Sequence, residues 1–100
     1  MSNYVRFVRL HAKPGTRDEV MRLWEEYQRD FVISSDGVKS FYYCYDNDDP
    51  DAIIVFMLAS DQEITKQPWF AEYHRKVEAY HNSPSEVYMA TPQWVKNAAV

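Results

Sequence analysis

The chain of 100 residues contains two glycines and one cysteine, and its basic residues are scattered rather than clustered. Two glycines leave no room for a Gly-rich loop of the kind that cradles phosphates. The single Cys44 excludes an internal disulfide; placed mid-strand, it is expected to be a small buried hydrophobe in a reducing compartment. The longest apolar run, Ala52 to Ala59, has eight residues, far short of the roughly 20 that a membrane-spanning helix needs. The start, MSNYVRFVRL, lacks a basic segment followed by a long apolar core, so no signal peptide is expected. With 11 Lys and Arg against 15 Asp and Glu, the net charge is −4, and no positive stripe exists to neutralise phosphates. A cytoplasmic domain with neither a nucleic-acid nor a membrane partner is the expectation.

What is abundant is apolar and aromatic. A 46% hydrophobic content suffices for a core in a single domain without disulfides or metal. The 8 Tyr, 5 Phe and 3 Trp imply a bulky core, or a pocket for a flat, partly polar ligand. One domain is expected over 1–100, with its core in 4–90 and a tail in 91–100.

The run AIIVFMLA, with β-branched and aromatic residues at Ile53 to Phe56, suits a strand covered on both faces. The turn cluster Asp46-Asn47-Asp48-Asp49-Pro50-Asp51 precedes it, and the β-rich Val38 to Tyr45 precedes that, so the two runs should form a hairpin. The acidic cluster is no calcium loop: Pro50 occupies a ligand slot and Met57 stands where a bidentate Glu would be needed. It reads as a solvated turn, and no metal site is expected.

Residues 4–12 alternate Tyr4, Arg6, Val8, Leu10, Ala12 against Val5, Phe7, Arg9, His11, with neither side cleanly polar, again a strand covered on both faces. Pro14-Gly15 ends it, and Thr16 with Glu19 has the spacing of a capping box. Behind the cap, Val20, Leu23, Trp24, Tyr27 and Phe31 recur at helical spacing. Arg22–Glu26 and Glu25–Arg29 are placed for i,i+4 pairing on the other side. The helix should end near Ser34-Ser35-Asp36-Gly37, where Gly37 can adopt positive φ.

After the hairpin, Ser60-Asp61 offers a cap for a short helical segment over 62–67, interrupted by Pro68. A longer helix is expected from Trp69 to about His81, with Phe70, Tyr73, Val77 and Tyr80 as its apolar stripe. Asn82-Ser83-Pro84-Ser85 should break it, leaving Glu86 to Ala90 as a last short strand. The order β-α-β-β-α-β predicts an α+β, ferredoxin-like fold: a four-stranded antiparallel sheet with two helices on one face. The opposite face would then be apolar and exposed, which predicts a homodimer, with the tail carrying Trp94 reaching the partner.

Taken in order, several features resemble the antibiotic biosynthesis monooxygenase family of dimeric α/β barrels. They are Lys13-Pro14-Gly15, the capped helix, Gly37 opening an aromatic strand, Asp48-Asp49-Pro50, the apolar strand entering Ser60-Asp61, and Pro68-Trp69-Phe70 before a helix bearing His74. The resemblance spans roughly 4 to 90. It implies a homodimer with a pocket between sheet and helices, and a small aromatic or otherwise hydrophobic ligand. Some members oxygenate aromatic polyketides or quinols with no cofactor; a related branch binds and degrades haem through a helix His.

On that resemblance His74 is the expected proton acceptor or donor, or an iron ligand, since Phe70-x-x-x-His74-x-x-Val77 resembles the segment with the haem-ligating His. The plainer reading is a half-exposed helix histidine. Tyr43 is the expected polar anchor; Trp24, Phe41, Trp69 and Phe70 are the expected walls, although core packing explains each as well. Val8 and Ala59 stand where the haem-degrading branch carries Asn and Trp, so haem breakdown is disfavoured and no cofactor is expected. The same parity turns Val8 and Leu10 to the helices, and Arg9 and His11 to the dimer barrel. The functional expectation is a cofactor-independent monooxygenase. The alternatives are a non-catalytic binding or stress-response dimer for a hydrophobic metabolite, and haem binding through His74.

Overall fold

The computed structural model describes residues 3–60 and 63–96. Four antiparallel strands, β1 (Tyr4–Ala12), β2 (Val38–Tyr45), β3 (Ala52–Ala59) and β4 (His81–Ala90), lie in the order β2-β3-β1-β4. Helices α1 (Arg17–Tyr27), α2 (Arg29–Ser34) and α3 (Pro68–Val77) cover one face. This is the α+β, ferredoxin-like arrangement that the element order predicts. Among the described residues no helix is long and apolar enough to cross a membrane.

Strand pairing fixes which side chains share a face. Val8 lies opposite Val55, Leu10 opposite Ile53, and Arg6 opposite Met57. Phe41 and Tyr43 oppose Met57 and Val55 in turn. These residues form the inner face, where Leu10 and Ile53 pack with Val20, Leu23, Trp24, Tyr73 and Val77. Trp24 stacks on Phe41 at 5.4 Å between ring centroids. A second cluster gathers Tyr4, Met57, Ala59 and Ile64 with Trp69 and Phe70 packed on it, and Trp69 stacks on Phe31.

The outer face carries a single aromatic row across all four strands. Tyr42 opposes Phe56, Phe56 opposes Phe7, and Phe7 opposes Tyr88. Tyr42 and Tyr88 are 57% and 60% exposed, so the row is largely uncovered in the single chain. Arg9 and His11 share this face; Arg9 pairs with Asp46 at 2.6 Å and His11 with Glu86 at 3.0 Å. Pro92, Trp94 and Val95 of the tail border Val5, Tyr42, Phe56 and Leu58 on the same face, and residues 97–100 lie outside the described ones. Leu58 is buried there, while Trp94 is 79% exposed.

Several local expectations are corrected. Cys44 is exposed rather than buried, because its parity puts it on the outer face opposite Ile54. Thr16 makes no side-chain cap to its helix; its hydroxyl donates instead to the Lys13 carbonyl at 2.7 Å, closing the Pro14-Gly15 turn. Positive φ falls at Gly15 (78°), not at Gly37. The i,i+4 pairs form as expected, Arg22–Glu26 at 3.4 Å and Arg29–Glu25 at 3.3 Å. The first helix is interrupted at Gln28, whose φ of −125° divides α1 from α2. The short segment before Pro68 is a 3₁₀ turn, Ile64–Lys66; the proposed cap residue Asp61 and Gln62 lie outside the described residues.

The last helix stops at Val77, a 3₁₀ turn follows at Glu78–Tyr80, and β4 begins at His81 rather than at Glu86. β4 is an edge strand, and an edge tolerates Pro84 because a proline's missing donor can face away from its neighbour. Its register against β1 shifts between Arg9 and His11, which lets Pro84 and Ser85 bulge towards the inner side. The acidic turn is less solvated than expected: one Arg17 nitrogen donates to the carbonyls of Asp46, Asp49 and Ala52.

Candidate functional site

Between the inner face of the sheet and the helices lies a cavity of about 350 Å³. Its floor is Val8 and Leu10 of β1, Phe41 of β2, and Ile53, Val55 and Met57 of β3. Trp24 and Gln28 reach it from α1 and its end, and Phe70, Tyr73 and His74 from α3. His81, Pro84, Ser85 and Val87 of β4, with Arg6 of β1, complete the wall. Val87 is 48% exposed, so the cavity opens beside the β4 edge. The volume lies at the lower end of the range for small-molecule sites, and the lining is mostly apolar.

His74 stands at the inward border of α3 because it lies one residue after buried Tyr73 and three before buried Val77. Its ring centroid is 4.4 Å from that of Phe70 and 5.3 Å from that of Tyr73. Burial, then the Arg6 guanidinium, then His81 push its pKa down to about 4. The imidazole is therefore neutral at physiological pH and able to accept a hydrogen bond or a proton. Burial likewise lowers His81, with Glu78 opposing. The Arg6 guanidinium lies 5.0 Å over the Phe70 ring, and burial lowers its pKa.

Among the described residues three buried polar atoms at or near the cavity have no hydrogen-bond partner: Trp24 Nε1, His81 Nε2 and the Tyr43 hydroxyl. Trp24 and His81 belong to the wall. Such orphans are rare in folded proteins and often mark a place where a ligand or water is received. The Tyr43 hydroxyl lies beside that of Tyr73, yet the two do not meet in hydrogen-bonding geometry. Burial drives the Tyr43 pKa strongly upward and that of Tyr73 up to about 12.

Of the residues singled out from sequence, His74, Trp24, Phe41, Phe70 and Val8 come together around this cavity. Tyr43, Trp69 and Ala59 do not line it: Tyr43 packs behind Trp24 at 4.9 Å between ring centroids, and Trp69 and Ala59 belong to the second core cluster. Sequence reasoning passed over Gln28, Arg6 and His81. For Gln28 the signal was a polar residue four after Trp24 on an otherwise apolar stripe. For Arg6 it was a cation alternating in phase with Val8 and Leu10. His81 was hidden by the misplaced end of the helix.

Among the described residues no group of three or more His, Cys, Asp or Glu could hold a metal ion. The residues present do not fit haem either. His74 has the right ionisation for an axial ligand, but a cavity of this size suits one or two fused rings rather than a tetrapyrrole. Among the described residues Arg6 is also the single cation in the wall, set against a pair of propionates.

No family model and no curated protein matches the sequence. Solved structures do match its fold. One is a Chloroflexus aurantiacus protein provisionally described as an antibiotic biosynthesis monooxygenase: 22% identity, TM-score 0.79, covering 98% of this chain and 100% of that one. A mutant of SnoaB from Streptomyces nogalater, described as a cofactor-independent oxygenase, shows 14% identity, TM-score 0.77, and coverage of 97% and 99%. A Nitrosomonas europaea protein of unknown function shows 18% identity, TM-score 0.80, and coverage of 100% and 98%. The chain thus has the fold shared by structures described as antibiotic biosynthesis monooxygenases, the family its sequence resembles.

Proposed function

We propose that the protein is a homodimeric oxygenase that acts on a small aromatic, polyketide or quinol-type molecule in the cavity beside His74, without a bound cofactor. The observation that carries this reading is a neutral imidazole set in the wall of an apolar cavity, with unpartnered buried ring nitrogens at Trp24 and His81 around it. His74 accepts the proton of a substrate hydroxyl, and the resulting anion is electron-rich enough to reduce O₂ directly. For a hydroquinone the products are a hydroxyquinone and water: one oxygen atom enters the ring, the other leaves as water, and the substrate supplies the electrons. The apolar wall keeps bulk water from the reactive anion. General-base help is worth about 10²- to 10⁴-fold for a base whose pKa lies near the working pH, which His74 reaches when the substrate anion offsets the burial and the Arg6 charge that hold it near 4 in the free protein.

The dimer completes the fold. The aromatic row from Tyr42 to Tyr88 crosses all four strands with both of its ends exposed, the kind of apolar strip that a partner covers. Pairing two such faces about a two-fold axis buries both, along with Cys44.

The test is oxygen consumption with a panel of hydroquinones and anthrones. Uptake with at least one compound, lowered about 10²-fold or more in His74→Ala, is the expected result. Uptake undiminished in that variant overturns the role of His74. The second reading, a non-catalytic receptor for a hydrophobic metabolite, draws on the same unpartnered ring nitrogens at Trp24 and His81. It predicts a raised melting temperature with a panel member and no oxygen uptake. A Soret band on adding hemin, lost in His74→Ala, would instead favour haem.

A further inference from the structure

We infer that the cavity selects an anionic ligand, a flat ring carrying a carboxylate or another ionised oxygen, and that Arg6 is the residue that recognises it. The inference rests on the proposed working site and adds the chemical class of what enters it.

The chain has six arginines, and five are answered by acceptors of its own. Arg9 pairs with Asp46, Arg22 with Glu19, Arg29 with Glu25, and Arg75 with Glu72, while Arg17 is held by three carbonyls. Among the described residues Arg6 alone has neither a carboxylate nor a hydrogen-bond acceptor; its guanidinium rests on the Phe70 ring at 5.0 Å. It is also the arginine turned to the inner face, in phase with Val8 and Leu10. A half-buried cation without a counter-ion is costly, and a second charge in the site is the usual remedy. Among the described residues the wall contains no Asp or Glu to provide it.

Phe70 links this charge to the chemistry, since the ring under the guanidinium also touches His74 at 4.4 Å. Trp24 is 8% exposed, and its Nε1–H, in the same wall, lacks an acceptor. A guanidinium and an indole donor without a fixed acceptor call for a ligand that brings its own anionic oxygen. Arg6 suits a planar carboxylate because its donors form a fork.

The experiment compares two probes of one ring size: hydroquinone, which is neutral, and gentisate, a hydroquinone carrying a carboxylate. Binding is read from tryptophan fluorescence or calorimetry. Gentisate should bind at least about tenfold more tightly, the order expected for one charge-assisted hydrogen bond. In Arg6→Met that preference should vanish, and Arg6→Lys should keep part of it. Equal binding of the two probes by the native protein, no binding of gentisate, or a preference that survives in Arg6→Met would overturn the inference. The native comparison decides even if a variant fails to fold. Gentisate preference without oxygen uptake upholds the anion site while the oxygenase reading fails. Uptake with neutral quinols and no preference does the reverse.

Discussion

The ring of His74 lies 4.4 Å from that of Phe70, centroid to centroid, one helical turn apart on α3. That spacing holds the imidazole against an apolar ring which itself carries the Arg6 guanidinium on its face. Both neighbours disfavour a second positive charge, and the ring stays neutral far below the pH at which a free histidine would protonate.

The first prediction concerns acid. The unfolded-state pKa of His74 is near 6.5 and the folded value about 4, so between these the unfolded chain binds more protons. Stability contributed by His74 is complete above about pH 6.5 and falls as pH drops towards 4, below which this group causes no further change. His81, also lowered by burial, acts in the same direction. Denaturant melts at several pH values should show the native protein losing on the order of 2 kcal/mol more on acidification than His74→Asn, allowing for partial solvation of the ring. Equal losses would mean that the imidazole is solvated in the folded state.

Tyr43→Phe should raise stability by about 1 kcal/mol, because it removes a buried hydroxyl that has no partner. It should leave oxygen uptake and ligand binding unchanged, since Tyr43 packs behind Trp24 rather than in the cavity wall. The melting temperature and the kinetics are both needed. A fall in uptake with stability intact would restore Tyr43 as a polar anchor.

Tyr88→Glu places a charge at the end of the outer aromatic row. Tyr88 is 60% exposed in the single chain, so folding does not depend on its burial, but sheet-to-sheet pairing would trap the new carboxylate. Sedimentation should give about twice 11.9 kDa for the native protein and 11.9 kDa for the variant, with unchanged circular dichroism. A native particle of 11.9 kDa ends the dimer proposal.

The extents of β1, β2 and β3 were legible in the sequence because each is a β-rich run closed by strong turn signals. Which face of the sheet would be covered was harder to read. Cys44 was misplaced because apolar residues on both sides of β2 and β3 erase the alternation that normally marks the inside. The start of β4 was missed because Asn82-Ser83-Pro84-Ser85 carries turn chemistry, and only its position at the sheet edge makes Pro84 compatible with a strand. His74 could be found by helical spacing from Phe70 and Val77. Arg6 alternates in phase with Val8 and Leu10, but what sets it apart, the lack of a counter-ion, depends on residues distant in sequence. The same holds for Trp69, whose stacking on Phe31 across two helices no local pattern announces.

Val87→Trp tests whether this cavity is the working site at all. Val87 lines the cavity and is 48% exposed, so a larger side chain there has room to lie across the opening without displacing the core. β4 is an edge strand, and an aromatic residue on a half-buried strand face suits its backbone, so the melting temperature should move by no more than a few degrees. Any compound that raises the melting temperature of the native protein should lose that effect in the variant, and oxygen uptake should fall with it. The outer aromatic row lies on the opposite face, so the oligomeric state should not change. A ligand whose stabilising effect survives in Val87→Trp is bound elsewhere, and the roles assigned to His74 and Arg6 would fall together.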